Sequence, residues 1–259
     1  MHIHRLETYM PPFVRELTAC GWHTLDFWHR GFGESEGIRN RVDPEAQVRD
    51  ILAALIYVRQ RPDVEPAKIA IMGLSHGGGA AIKAMAMDPE VTCLATVGAP
   101  GNGERWMRSK RSAEEWQALQ VELAADRIAR VLTGESRRVP YEEMAPPGPA
   151  ERKAFRTMYR PEDAYPEGYP LENIDLACAF RAEDWIGRIS PRPVLQIHGS
   201  DDTMVRYIEA EELHTRAGDP KKLVPIPGIN HAEVYEARNP AVFRQVMSEL
   251  VDWYGRWLA

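Results

Sequence analysis

A serine set between glycines is the first feature of the sequence that could carry chemistry. Residues 73–77 read Gly-Leu-Ser-His-Gly, with an apolar run at 69–72 before them and Ala-Ala-Ile at 80–82 after them. This pattern predicts a tight strand-to-helix turn that lifts the hydroxyl of Ser75 above a sheet, where it can act as a nucleophile. The alternative is an ordinary serine in a glycine-rich turn. A phosphate-binding loop is disfavoured, because the lysine and the Ser/Thr of that pattern are absent.

A serine hydroxyl is a poor nucleophile near neutral pH, so it needs a base within hydrogen-bond reach and a carboxylate that orients the base. Two later segments, each at the end of an apolar run, supply these groups. The first, at residues 198–205, contains Asp201 and Asp202, and the second ends at His231. The chain therefore carries Ser, Asp and His in an order that suits nucleophilic catalysis on a parallel sheet.

The elements that must position these residues alternate between strand and helix. Apolar runs of strand length are separated by segments with helical periodicity, and we expect them to form a mostly parallel sheet with helices on both faces, an α/β class of fold. The predicted strands are residues 22–28, 68–72, 91–97, 193–198 and 222–226.

The alternation stops after residue 100 and resumes near residue 190, a gap much longer than an ordinary connection. We therefore expect an inserted helical cap at 101–189, with residues 1–100 and 190–259 forming the core domain. For any single aromatic or Met residue of the cap, packing is the simpler interpretation, and only as a group do they indicate an apolar substrate wall. The candidates for that wall are Trp106, Met107 and Trp185.

Composition narrows the classes of function. The 259 residues contain 32 Lys and Arg against 38 Asp and Glu, giving a net charge of −6 without a block of like charge, which disfavours nucleic acid and anionic membranes as partners. Three cysteines without C-x-x-C spacing argue against a disulfide framework or a zinc site. We expect neither a metal nor a cofactor. Since no signal peptide and no run of membrane-spanning length is apparent, a cytoplasmic protein with a small-molecule partner is predicted.

Four motifs in one order give the chain a resemblance to serine hydrolases of the α/β-hydrolase superfamily, close to the dienelactone-hydrolase-like and X-prolyl-dipeptidyl-peptidase-like branch of esterases and peptidases. The resemblance runs from about Tyr9 to the last helix and is specific outside the cap. The motifs are R-G-x-G-x-S at 30–35, G-x-S-x-G at 73–77, H-G-x-x-D-x-x-V at 198–205 and G-x-x-H at 228–231.

The resemblance implies Ser75 as nucleophile, His231 as general base and then acid, and Asp202, ahead of its neighbour Asp201, as the orienting carboxylate. The backbone N–H of His76 is implied as a donor to the oxyanion of the tetrahedral intermediate. The expected reaction is hydrolysis of a carboxylic ester, or of a thioester or amide, through an acyl-enzyme on Ser75. Transfer of the acyl group to another acceptor by the same triad is the alternative.

The sequence departs from the family at its beginning. Relatives place their first oxyanion donor in a loop after an early strand, about where this sequence starts, so we expect the N-terminal strands to be missing. Either the true start lies upstream, or the protein has lost up to three leading strands and one oxyanion donor. Loss of one donor costs about a hundredfold to a thousandfold in turnover, and an impaired, ligand-binding module is the alternative that follows. The exposed sheet edge could be covered by pairing with another chain, as in a homodimer.

Overall fold

The protein is described by a computed structural model that covers residues 9–144, 146 and 167–259. The strands of this part of the chain are β1 (Ala70–Leu74), β2 (Cys93–Val97), β3 (Arg138–Val139), β4 (Tyr169–Pro170), β5 (Val194–Gly199) and β6 (Lys221–Ile226). The α-helices are α1 (Met10–Ala19), α2 (Pro44–Arg59), α3 (His76–Met87), α4 (Gly103–Arg108), α5 (Ala113–Thr133), α6 (Tyr141–Met144), α7 (Glu172–Ala179), α8 (Ile208–Arg216) and α9 (Pro240–Trp257). Single 3₁₀ turns span Ala182–Asp184, Ile186–Ile189 and His231–Val234.

Four of the strands form one parallel sheet in the order β1-β2-β5-β6. Leu74 lies opposite Val97, and Val97 lies opposite Ile197, so the carboxyl ends of the strands meet at one edge. The mostly parallel sheet predicted from the apolar runs is therefore confirmed. The turns that follow β1, β2, β5 and β6 are brought together, although up to 156 residues separate them along the chain.

Helices cover both faces of this sheet because residues of β2 alternate between two cores. Cys93, Ala95 and Val97 pack with α1 and α9, whereas Leu94 packs with α2, α3 and α8. The last helix, α9, buries Val242, Val246, Leu250 and Trp253, which are spaced by three or four residues and so lie on one face. No helix within the described ranges is long and apolar enough to cross a membrane.

Residues 22–28 form no strand, and this prediction was wrong. The segment contains residues that favour extended backbone, but a strand also needs a hydrogen-bonded neighbour, and in the described chain β1 pairs only with β2. Leu25 and Phe27 are consequently 49% and 37% exposed. The expected absence of N-terminal strands concerns the chain before residue 9, outside the described residues, and stays a prediction.

Between β2 and β5 the chain builds a separate layer from α4 to α7 and the two-stranded antiparallel sheet of β3 and β4. Trp106, Leu123 and Ile174 belong to its own apolar cluster, which also receives Val205 from the loop after β5. The division at 101–189 stays a prediction, because residues 145 and 147–166 lie outside the described part.

One buried carboxylate anchors the start of this layer to the core. Glu209 on α8 is 1% exposed, and its oxygens accept hydrogen bonds from the backbone N–H groups of Gly101 and Asn102 at 2.9 and 3.0 Å. The guanidinium of Arg105 donates to the same carboxylate at 2.7 and 2.8 Å and to Glu183 at 2.9 Å. Four donors thus converge on a side chain that water does not reach.

Replacing this carboxylate is expected to destabilise the fold strongly. In Glu209→Ala the two amides lose their acceptor and Arg105 keeps only Glu183, so the free energy of unfolding in urea should fall by about 3 kcal/mol, as when one partner of a buried ion pair is removed. Glu211→Ala, an exposed change on the same helix, should stay within about 0.5 kcal/mol of wild type. Equal losses in the two variants would contradict the anchoring role.

Candidate active site

The turn after β1 has the strained backbone that its sequence predicts. Ser75 has φ 49° and ψ −129°, its N–H donates to Val97 O at 2.7 Å, and its carbonyl accepts from Gly78 N at 2.8 Å. A Cβ on Gly73 would lie 2.5 Å from Gly78 Cα, so a larger residue cannot occupy position 73 without a shift of the backbone. The positive φ of Ser75 is maintained by contacts on both sides of the turn.

A hydrogen-bonded relay connects the three predicted side chains. The imidazole of His231 lies with Nε2 at 2.9 Å from Ser75 Oγ and with Nδ1 at 2.6 Å from Asp202 Oδ2. The neighbouring Asp201 is exposed and instead accepts a hydrogen bond from Ser200 Oγ at 2.7 Å. The structure therefore brings together Ser75, His231 and Asp202, and it leaves Asp201 on the surface.

The carboxylate of Asp202 is fixed through both oxygens. Oδ1 accepts from the backbone N–H groups of Met204 and Val205 at 2.9 and 2.8 Å, which leaves Oδ2 for His231. Burial by itself raises the pKa of Asp202, but His231 and His198, through charge and hydrogen bonding, bring the pKa well below its usual range. The group is thus an anion that faces the Nδ1 side of His231.

His231 is positioned by the turn on which it sits and by a glycine opposite its ring. Asn230 caps the 3₁₀ turn of residues 231–234, and the Asn230 N–H donates a hydrogen bond to the Glu233 carboxylate at 3.0 Å. Across the site, Gly98 has φ +63°, and a Cβ there would lie 3.1 Å from Cε1 and 3.2 Å from Nδ1 of His231. Gly98 belongs to none of the four motifs, and its place directly after β2 was the available signal.

The side chain of His76 is enclosed beside the nucleophile. Its ring lies 5.5 Å from the Trp106 ring, and its Nδ1 has no hydrogen-bond partner among the described residues. Burial lowers the pKa of His76 to about 3, so the imidazole is neutral at physiological pH. Because His76 is the first residue of α3, its backbone N–H has no acceptor within the helix and can serve a ligand.

The three candidates for a substrate wall occupy different surroundings. Trp106 and Met107 are buried in the apolar cluster of the inserted layer, with Trp106 adjacent to His76. Trp185 packs against the core on the α3 side, where Lys83 Nζ and the Arg188 guanidinium carbon each lie 4.4 Å from its ring centroid. The structure thus groups Trp106 and Met107 and gives Trp185 other neighbours.

A contact between the inserted layer and the Asp202 loop was missed by the sequence analysis. The Trp106 indole N–H donates to Met204 O at 2.7 Å, and Lys110 Nζ donates to the same oxygen at 2.7 Å. The N–H of Met204 is one of the two donors to Asp202 Oδ1. No local signal could have revealed this link, because 94 to 98 residues separate its partners.

Within the described residues, His, Cys, Asp and Glu side chains form no group of three or more that could hold a metal ion. The relay itself brings together a hydroxyl, an imidazole and a fixed carboxylate, the three groups that nucleophilic catalysis by serine uses.

Comparison with known proteins places the chain in a family. The family model described as "Serine aminopeptidase, S33" matches residues 3–238. The hypothetical protein PA2218 of Pseudomonas aeruginosa superposes with a TM-score of 0.80 at 20% identity, over 99% of this chain and 82% of that one. The Pyrococcus furiosus esterase Pf2001 superposes with a TM-score of 0.63 at 16% identity, over 97% and 76% of the two chains.

A curated relative is similar over a shorter stretch. The thiohydrolase aneE of Aspergillus aculeatus is 40% identical over 92 residues, which are 35% of this chain and 29% of that protein. The family match spans most of the sequence, and the structural neighbours share its fold. The chain is an α/β hydrolase, a member of the family described as serine aminopeptidase, S33.

Proposed function

We propose that the protein hydrolyses a carboxylic ester or thioester through an acyl-enzyme on Ser75. The observation that carries this proposal is the continuous relay from Ser75 Oγ through His231 to the Asp202 carboxylate, with distances of 2.9 and 2.6 Å. These are the distances that a general base needs for taking a proton from a nucleophile and being oriented by an acid.

In the acylation step, Ser75 Oγ attacks the carbonyl carbon while its proton passes to His231 Nε2. The imidazolium that forms is stabilised by Asp202, which stays ionised. The negative charge that develops on the carbonyl oxygen is directed at the His76 N–H, at the positive end of α3. Collapse of the intermediate breaks the bond to the alcohol or thiol, which takes its proton from His231.

Deacylation repeats these steps with water. His231 removes a proton from the water as its oxygen attacks the acyl carbon, and then returns a proton to Ser75 Oγ as the free acid leaves. The neutral side chain of His76 adds no charge near this reaction, so its contribution is made by its backbone N–H.

The names of similar proteins guide the choice of bond. One solved neighbour is called an esterase and one curated relative a thiohydrolase. Esters and thioesters both have an acyl carbon that Ser75 can attack. In both, the leaving alcohol or thiol needs one proton, which His231 can donate, so the same relay serves both. Trp106, whose ring lies 5.5 Å from the ring of His76, favours an apolar acyl group over a charged one.

Fluorophosphonate labelling tests the nucleophile. We expect the wild-type protein to form a covalent adduct, detected by intact mass, and Ser75→Ala to form none. Ser248→Ala, which removes an exposed hydroxyl on α9, should label as wild type does. A wild-type protein that stays unlabelled, or a Ser75→Ala variant that labels equally, would refute the proposal.

The space opposite His231 provides a second test. In Gly98→Ala the added Cβ meets the imidazole near 3.1 Å, so the ring must shift and the rate of labelling should fall by about tenfold to a hundredfold. Gly134→Ala is the matched control: its φ of +78° is similarly strained, but nothing lies within 4 Å of the added carbon. Equal rates in the two variants would show that the fit of the ring at Gly98 does not matter.

The hydrogen bond from Trp106 to the Asp202 loop provides a third test of the proposed function. Trp106→Phe keeps a ring beside His76 but removes the N–H donated to Met204 O. We expect kcat on a p-nitrophenyl ester to fall about fivefold, the equivalent of one hydrogen bond of ~1 kcal/mol, with KM nearly unchanged. Trp253→Phe is the control, since the Trp253 N–H has no partner in the described chain. A change confined to KM would assign Trp106 to substrate binding instead.

A further inference from the structure

His198 is the first residue of the motif H-G-x-x-D-x-x-V, and it has no part in the relay. It is the last residue but one of β5, and its side chain is 1% exposed. Its ring nitrogen Nε2 lies 2.7 Å from Val205 O and 3.4 Å from Asp202 Oδ2. A polar side chain buried at the end of a strand costs stability unless it is paired, so the role of His198 depends on these two contacts.

The contact with Val205 decides which ring atom of His198 carries a proton. A carbonyl oxygen can only accept a hydrogen bond, so Nε2 must carry a hydrogen and act as the donor. The hydrogen bond to Val205 O is short, whereas the 3.4 Å between Nε2 and Asp202 Oδ2 is the distance of an electrostatic contact. One N–H of His198 therefore faces both the Val205 carbonyl and the carboxylate beside it.

Val205 closes a ring between His198 and Asp202. Its N–H donates to Asp202 Oδ1 at 2.8 Å, and its carbonyl accepts the hydrogen bond from His198. Its side chain is buried in the apolar cluster of the inserted layer. A shift of Val205 would displace one of the two donors that hold Oδ1, and the hydrogen bond from His198 opposes that shift.

The two ends of this ring have unequal support from the backbone. His198 lies on β5, an interior strand that pairs with β2 on one side and with β6 on the other. Asp202 and Val205 lie in the turns between β5 and α8, outside any helix or strand. A side chain that projects from the sheet and bonds to the loop connects the rigid strand with the carboxylate, as supporting groups around a functional site do.

Two imidazoles face the same oxygen of Asp202. Nδ1 of His231 lies 2.6 Å from Oδ2, and Nε2 of His198 lies 3.4 Å from it. Burial raises the pKa of the Asp202 carboxyl, whereas the two histidines lower this pKa below its usual range. The carboxylate thus cannot turn away from His231 without also leaving the N–H of His198.

We propose that His198 is a positioning residue of the candidate site. Its Nε2–H holds Val205 and Asp202 in the arrangement that directs Oδ2 at His231, and His198 itself exchanges no proton with Ser75. This inference rests on the proposed function for its kinetic test, and it adds a fourth side chain to the three of the relay.

Two substitutions of similar length separate the role of the donor from that of packing. His198→Met fills the space beside the Tyr207 ring, 5.8 Å away, but has no donor, whereas the amide nitrogen of His198→Gln reaches about as far as Nε2 does. We expect kcat on a p-nitrophenyl ester to fall about tenfold to a hundredfold in His198→Met, with KM nearly unchanged, because a hydrogen bond beside a charged group is lost. His198→Gln should recover most of that loss.

Gln196→Met is the matched control. Gln196 lies two residues earlier on the same face of β5, is 2% exposed, and donates to Ala210 O on α8 at 3.4 Å rather than to the Asp202 loop. Its kcat should stay near that of wild type. Far-ultraviolet circular dichroism checks that the variants fold. If His198→Met does not fold, His198→Asn takes its place, since the shorter amide cannot reach Val205 O.

Proton nuclear magnetic resonance tests the inference without a substrate. The proton in the 2.6 Å hydrogen bond between His231 Nδ1 and Asp202 Oδ2 should give a resonance at low field that Asp202→Ala abolishes. We expect this resonance to shift or broaden in His198→Met, to be restored in His198→Gln and to be unchanged in Gln196→Met. A wild-type protein that hydrolyses no ester but shows this response would refute the proposed function and support the role of His198.

Three results would overturn the proposal. If kcat and the low-field resonance of His198→Met match those of Gln196→Met, the side chain of His198 only packs. Equal losses in His198→Gln and His198→Met would show that the shape of the ring matters and its N–H does not. A change confined to KM would assign His198 to substrate binding.

Discussion

The candidate site depends on one constraint: the two oxygens of Asp202 accept hydrogen bonds from different partners. Oδ1 is occupied by two backbone N–H groups of its own loop, so the direction in which Oδ2 points is set by the backbone after β5. His231 is oriented by that second oxygen, and Ser75 is reached only through His231. A shift of the loop would therefore be transmitted to the nucleophile without any change at residue 75.

The loop that carries Asp202 is in turn hydrogen-bonded to the inserted layer. Met204 donates its N–H to Asp202 and accepts hydrogen bonds from Trp106 and Lys110 at its carbonyl, so one peptide segment joins the cap side to the carboxylate. Glu209, seven residues after Asp202, accepts hydrogen bonds from two backbone N–H groups at the beginning of the same layer. The layer that borders the site is thereby attached to the Asp202 loop and to the helix that follows it, so that its packing is linked to the geometry of the relay.

Local patterns predicted the parts of this architecture that depend on short stretches of sequence. The tight turn at Ser75 and the alternation of apolar strands with helices follow from steric and periodic rules that act over a few residues, and both appear in the structure. The strand predicted at residues 22–28 was wrong because the prediction used only the propensity of these residues for extended backbone. A strand also needs a neighbouring strand, which the local sequence does not reveal. Gly98 and the contact of Trp106 with Met204 were missed for a related reason: their importance comes from residues about 100 or more positions away.

The separation of Ser75 from His231 by 156 residues also sets when, during synthesis on the ribosome, the two side chains can meet. At about 5–20 residues per second, a ribosome needs roughly 8–30 s to extend the chain from the serine to the histidine. During that interval β1, β2 and the inserted layer can fold, but the hydroxyl has no base and stays as unreactive as any other serine. Under the proposed mechanism, a nascent chain thus gains reactivity at Ser75 only after its last strand and the turn that carries His231 have been made.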